Sequence, residues 1–289
     1  MTALANCAAP PESTTATLRV GLVPYLNAWP VAWGLDRLRD WDTQAMVPSV
    51  LAEELQAGRI DLTLGSSIDA VGLDPQPLVL PVSPITSNGA SRTVLLASRV
   101  DPVKMTRLHC DTDSHTSVAL ARMLLRDQWG VDPDIVPWDA RAGAVDGVAV
   151  DDPESILMIG DKVVTQQFDA TQWSHTIDLG EAWTDLTQLP FVFAVWMLHR
   201  DCAHRAASVH AVLDRQQRVN RLRFEAMVTQ GAKQHGWPVD EARMYLSQNI
   251  RYTFGEAQRA GLELFITRCV EHGFVKAGRS LQWADVSGG

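Results

Sequence analysis

Apolar and polar positions along this chain fall into short blocks that switch between the strand period and the helix period. Arg19-Val20-Gly21-Leu22-Val23 is a brief run, apolar on both faces and closed by Pro24, and it predicts a buried strand. Asn27 comes before Ala28-Trp29-Pro30, and Pro30 suits the first turn of a helix, where its missing N–H is not needed. Gln44 to Val47 predicts a second strand. Ser49 as N-cap, Glu53 and Glu54 early and Gly58 as the stop then predict a helix over 50–57. Arg59 to Leu64 reads as a third strand, ending in Gly65-Ser66-Ser67. Strand, helix, strand, helix, strand with short links implies a parallel sheet covered by helices.

Two more strands are predicted at Leu78 to Val82 and Thr93 to Ser98, with Ser87-Asn88-Gly89 in the loop between them, and Asp101-Pro102 marks a break. A second unit then starts. Leu108-His109-Cys110 is its first strand, Asp111 to Ser117 a polar turn, and the helix 117–129 carries Val118, Ala121, Leu125 and Trp129 on one stripe. A loose strand follows near Ile135-Val136. Ser155 to Ile159 is a buried strand, Gly160-Asp161 opens the next helix, and Leu189 to Trp196 is the most apolar strand of the chain. Beyond Arg200 the pattern is helical, over 203–214, 216–235, 239–248 and 255–272. The expected organisation is α/β: a flexible tail at 1–17, one lobe from 18–97 with 197–289, and a second lobe from 98–196. That is the layout of a two-lobed, hinged binding protein with its ligand in the cleft.

Composition narrows the choices. Of 289 residues, 46% are hydrophobic and 20% charged, which is the make-up of a globular protein with a full core. No run approaches the ~18–20 apolar residues of a membrane span, so no membrane partner is expected. The net charge of −9 argues against nucleic acid; Arg205, Arg215, Arg218, Arg221 and Arg223 lie on a predicted helix and read as its solvated face. Cys7, Cys110, Cys202 and Cys269 are scattered with no CxxC pair and no His at metal-ligand spacing, so neither a zinc site nor a disulfide framework is expected. The first sixteen residues lack a basic and an apolar segment, which favours a loose tail over a signal peptide and a cytoplasmic location. With no P-loop, GxGxxG or HExxH, no cofactor is expected.

In open α/β sheets ligands sit beyond the carboxyl ends of the strands, and Asn27 and Ser66-Ser67 both fall there. Ser114, Thr116 and Ser117 crowd one helix N-terminus. As caps one would do, and three hydroxyls there suit an incoming anion. His115 reads as a solvated or capping residue. Asp161 either faces the cleft or caps its own helix.

Several of these segments together resemble a known family. Tyr25-Leu26-Asn27 with Pro30, Pro48-Ser49 with Leu51, Gly58 and Asp61, Ser87-Asn88-Gly89 with Arg92, and Ser114 with Thr116-Ser117 resemble the MqnA chorismate dehydratases of the futalosine route to menaquinone. Ile159-Gly160-Asp161-Lys162, Asp178 to Trp183 and Leu189 to Ala194 extend the likeness over nearly the whole chain after the tail. Ser66, and Ala90-Ser91 after the SNG loop, depart from the family's usual Pro and Pro-Val. The resemblance implies a type II periplasmic-binding-protein fold used as an enzyme, with a hinge and an interlobe cleft. It implies conversion of chorismate to 3-[(1-carboxyvinyl)oxy]benzoate and water. The expected catalytic residues are Asn27 and Thr116. Ser66, Ser67, Ser87, Asn88, Ser114, Ser117 and Asp161 are the expected substrate-binding residues, and no metal is expected. The alternatives are the sister enzyme MqnD, whose Pro-Asn-Asp-Thr-type opening turn this chain lacks, a non-catalytic binder of small anions, and a ligand-sensing regulator.

Overall fold

The computed structural model describes residues 16–145, 148–149, 153–165 and 170–287. Most of the expected tail, residues 1–15, lies outside the described residues. Two mixed sheets organise the rest. In the first, the order across the sheet is Ile250–Arg251, Leu78–Ser87, Phe191–Leu198, Leu62–Ser66, Leu18–Leu22 and Trp41–Ala45. Leu18–Leu22 pairs in parallel with both Trp41–Ala45 and Leu62–Ser66, as the strand–helix–strand pattern predicts. Phe191–Leu198 enters antiparallel between Leu62–Ser66 and Leu78–Ser87. The direction has a simple origin. Leu78–Ser87 runs toward the second sheet, and the chain crosses there and returns at the same end, so the returning strand must run back.

The second sheet has the order His175–Asp178, Val94–Ser98, Ser155–Ile159, Arg107–Asp111 and Asp134–Trp138. Val94–Ser98 therefore belongs to the second sheet and Phe191–Leu198 to the first. We place the lobe boundaries at the two crossovers, 88–93 and 188–190, a few residues before the 97/98 and 196/197 divisions expected from sequence. The Asp101-Pro102 break is only a short 3-10 turn, Pro102–Lys104, on the way between two strands of the second sheet.

Local departures have local causes. The helix Pro48–Gln56 starts at Pro48 with Val47 as its extended N-cap, so Ser49 sits inside the first turn and does not cap. The helix His115–Leu124 begins two residues before the expected start because Ser114 is its N-cap, and a π turn, Leu125–Trp129, continues it. The strand Trp41–Ala45 lies at the sheet edge, where Asp42, Thr43 and Gln44 hide the apolar alternation. In the helical region, Ala206–Leu222 and Phe224–His235 meet at Arg223.

Behind the 188–190 crossover, Trp183, Phe191 and Phe265 pack edge to face, with ring centroids 5.0–6.1 Å apart. The helix Glu256–Glu271 brings Phe265 there. It also reaches the second lobe, where Arg268 pairs with Asp127 at 2.7 Å.

Candidate active site

The strand Leu18–Leu22 ends at a 3-10 turn, Leu26–Ala28, followed by the short helix Trp29–Ala32 with Pro30 in its first turn. Asn27 is inside the 3-10 turn, so it is not a cap, and the N-cap position, Tyr25, supplies no side-chain hydrogen bond. Asn27 lines a cavity between the two sheets, and its Oδ1 is buried without a partner.

The opposite wall comes from the polar turn of the second lobe. Ser114 Oγ accepts from Ser117 N at 3.2 Å and lies 3.1 Å from Ser117 Oγ, and both residues line the same cavity. Thr116 does not. It is fully buried, its Oγ1 accepts from Ile68 N at 3.2 Å, and it lies 3.3 Å from Ser67 Oγ. Ser67 in turn donates to the Val192 carbonyl at 2.8 Å. Successive side chains at a helix start point in different directions, so Thr116 stitches the lobes together while Ser114 and Ser117 face the cavity.

Between these walls lies a charged cluster absent from the sequence-based expectations. Asp113 Oδ2 accepts from Tyr25 Oη at 2.5 Å, Lys162 Nζ at 2.7 Å and Arg141 Nη1 at 3.0 Å. Lys162 also pairs with Asp111, whose carboxylate accepts from Ile159 N. Burial pushes the Asp113 carboxyl up, but Lys162, Tyr25 and Arg141 together outweigh it and hold the group below the usual range. For Asp111 burial wins over the Lys162 ammonium, and its pKa is raised. Burial and the Asp113 carboxylate both raise the Tyr25 phenol, which stays a hydrogen-bond donor. Tyr25 and Asp113 line the cavity. Asp113 lies within the polar turn Asp111 to Ser117 and Lys162 just past the buried strand Ser155–Ile159, and neither position stands out in the sequence as part of a charged cluster.

The SNG loop contributes differently from expectation. Ser87 is at the strand's end with its hydroxyl buried and unpartnered, turned toward the helix Leu179–Thr187; a Cβ on Gly180 would lie 2.5 Å from it. Asn88 is exposed. Asp178, the N-cap of that helix, accepts from Gly180 N, Glu181 N, Ser91 N, Ser91 Oγ and Arg92 N. This hub turns Ser91 and Thr93 into the cavity wall, where Ser87 and Asn88 were expected. Thr93 Oγ1 is 2.9 Å from Tyr245 Oη.

Of the expected site residues, Asn27, Ser66, Ser114 and Ser117 therefore share one cavity, and Ser67, Ser87, Asn88, Thr116 and Asp161 do not line it. Asp161 instead accepts from Leu26 N at 3.0 Å. His115, half-exposed, pairs through Nδ1 with Asp69 at 2.9 Å, which raises its pKa. The cavity walls are otherwise apolar, with Val23, Ile85, Phe193 and Ile250 among them, and its volume is about 60 Å³. Among the described residues no three His, Cys, Asp or Glu side chains gather as a metal site, and no helix is long and apolar enough to cross a membrane.

Comparison with known proteins adds to this geometry. A family model described as menaquinone biosynthesis matches residues 18–271. A chorismate dehydratase of Thermus thermophilus is 29% identical over 267 residues, covering 85% of this chain and 93% of that protein. One from Campylobacter jejuni is 25% identical over 254 residues, covering 86% and 94%. Among solved structures, the periplasmic aliphatic sulphonate binding protein SsuA from Escherichia coli matches with a TM-score of 0.60 at 17% identity, covering 93% of this chain and 97% of that one. The fold is that of the type II periplasmic binding proteins.

Proposed function

The chain belongs to the menaquinone biosynthesis family, and from that premise and the interlobe cavity we propose that it is a chorismate dehydratase, releasing 3-[(1-carboxyvinyl)oxy]benzoate and water. The observation that carries the reading is one apolar cavity with an unpartnered Asn27 Oδ1 on one wall and the Ser114–Ser117 helix mouth on the other. The helix His115–Leu124 presents the positive end of its dipole there, and with the Ser114 and Ser117 hydroxyls it suits a carboxylate. Asp113 in the wall does not repel a dianion, because Lys162 and Arg141 balance Asp111 and Asp113.

Chorismate loses its C3 proton and its C4 hydroxyl. The charge left at C3 runs through the ring double bond into the ring carboxylate, and departure of the hydroxyl makes the ring aromatic. Asp113 is a poor base, since its partners hold the carboxylate in its ionised form. The substrate's own enolpyruvyl carboxylate takes the C3 proton, and the protein supplies position and field. Asn27 Oδ1 is an acceptor. A hydrogen bond from the C4 hydroxyl to it raises the basicity of the hydroxyl oxygen, which then receives the proton and leaves as water.

A cavity of about 60 Å³ has room for a few waters, at roughly 10–15 Å³ each by this measure. The lobes therefore part for the ring acid to enter. We place the enzyme in the cytoplasm, as a biosynthetic step on a soluble acid. The test is direct: purified protein and chorismate, without added cofactor, lose the diene absorbance and give a product lighter by one water. Unchanged chorismate sinks the reading and moves the weight to a binding protein of the same fold, since fold alone does not decide function.

A further inference from the structure

Asn27 sits in a turn that has no cap of its own. A 3-10 turn leaves its first N–H groups unpaired, and the N-cap Tyr25 gives Leu26 nothing. The missing acceptor comes from the other lobe. Asp161, which follows the second-sheet strand Ser155–Ile159, places Oδ2 3.0 Å and Oδ1 3.4 Å from Leu26 N. The same Oδ2 lies 2.9 Å from His235 Nδ1, and both side chains are largely buried.

His235 is itself held. Its ring stands edge-on to Trp29, with centroids 5.6 Å apart and planes at 87°. One helical turn earlier, Gly231 lets the same helix close onto the turn: a Cβ there would lie 2.9 Å from Leu26 Cδ1 and 3.1 Å from the Trp29 ring. Gly231 and His235 are i and i+4 on Phe224–His235 and share a face.

We propose that the His235–Asp161 pair positions the catalytic turn, with Asp161 gripping Leu26 N–H and so aiming Asn27, and His235 aiming Asp161. The proposal rests on the dehydratase reading. Neither residue lines the cavity, so both are positioning residues. Leu26 and Asn27 are adjacent, so a shift of the held amide moves the Asn27 side chain directly. Leu26 and His235 belong to the first lobe and Asp161 to the second, so the grip exists only when the lobes are together. Closure and the placement of Asn27 become one event. Nδ1–H of His235 donates to the Asp161 carboxylate.

The test is chorismate turnover by D161A, H235A, H235N, N27A and the N27A/D161A double variant, each with its thermal midpoint. A misplaced group costs on the order of 10–100-fold, so D161A lowers kcat by about that factor with KM within about threefold. In the N27A background the same change costs under about twofold, because the group it aims is gone. H235N, whose amide nitrogen sits near the place of Nδ1, recovers most of what H235A loses. Costs that multiply in the double variant overturn the proposal, as does H235N no better than H235A. Should D161A fail to fold, D161N in the same cycle separates the same two outcomes. If the unsubstituted protein leaves chorismate unchanged, the activity and the positioning role both fall. Native turnover with multiplying costs removes the positioning role alone.

Discussion

At the scale of single residues, two polar side chains of the same expected role separate cleanly. Asn27 has a buried acceptor with nothing to accept, at a cavity wall; Thr116 has every bond it needs inside the protein. Asn27→Ala is expected to lower turnover by about 10²-fold, the cost of losing one preorganised group, with the thermal midpoint nearly unchanged. Thr116→Val is expected to do the reverse. It leaves the buried Ile68 N–H unpaired, costing about 1–3 kcal/mol in urea unfolding, with kcat retained in the folded fraction. Lys162 supplies a pH test. Replaced by Met, it leaves Asp111 and Asp113 buried together, a loss of about 3–5 kcal/mol near pH 7. Native Asp113 has a lowered pKa, so its contribution is present above the unfolded value of about 3.9 and is lost as pH falls through the lower folded value. In Lys162→Met the ammonium no longer lowers either carboxyl, so the folded state takes up protons at Asp111 and Asp113 more readily than the unsubstituted protein does. The loss caused by Lys162→Met is therefore smaller at pH 4 than at pH 7, read from unfolding midpoints of both proteins at each pH. In the sequence Asp113 and Lys162 are only members of a polar turn and of a segment past a strand. The pairing of Asp113 with Tyr25, Lys162 and Arg141 was not legible there, because those contacts span 28 to 88 positions of chain.

At the scale of elements, periodicity carried most of the order. The buried strand Ser155–Ile159 stands where its unbroken apolar run put it. The edge strand Trp41–Ala45 lies a few residues before the predicted Gln44 to Val47, since an edge buries too little to enforce alternation. The helix Leu179–Thr187 shows how one cap reorganises a neighbour. Asp178 caps it and at the same time takes two backbone N–H groups and a hydroxyl from 91–92. Asp178→Ala is expected to cost about 1–2 kcal/mol for the cap and to raise KM for chorismate several-fold, because Ser91 and Thr93 lose their anchor. Denaturant unfolding with steady-state kinetics on one preparation checks both. The same effect explains why the SNG loop brings other residues to the cavity than those expected. Sequence marks a loop's turn chemistry, while the helix packed against it decides which side chains face inward.

At the scale of the whole molecule, the lobes are held together by contacts of several kinds: Tyr25 to Asp113, Leu26 to Asp161, Ile68 to Thr116, and Arg268 to Asp127 from the last long helix. A ring acid enters only when some of these open. Hydrogen exchange at the Leu26 amide is therefore expected to follow the opening of the cleft, slowing when product binds and quickening in Asp161→Ala. Mass-spectrometric exchange over peptides containing residue 26 reads it, and an amide indifferent to product speaks against closure around the ligand. By itself the sequence determined the α/β class, the family resemblance and the polar turns at strand ends, because these depend on local periodicity, caps and short motifs. Only the tertiary structure decided which hydroxyls face the cavity, which lobe receives Val94–Ser98 and Phe191–Leu198, and that Asp161 serves Leu26. Those outcomes follow from crossings between two sheets and from partners distant along the chain, and no local pattern encodes them.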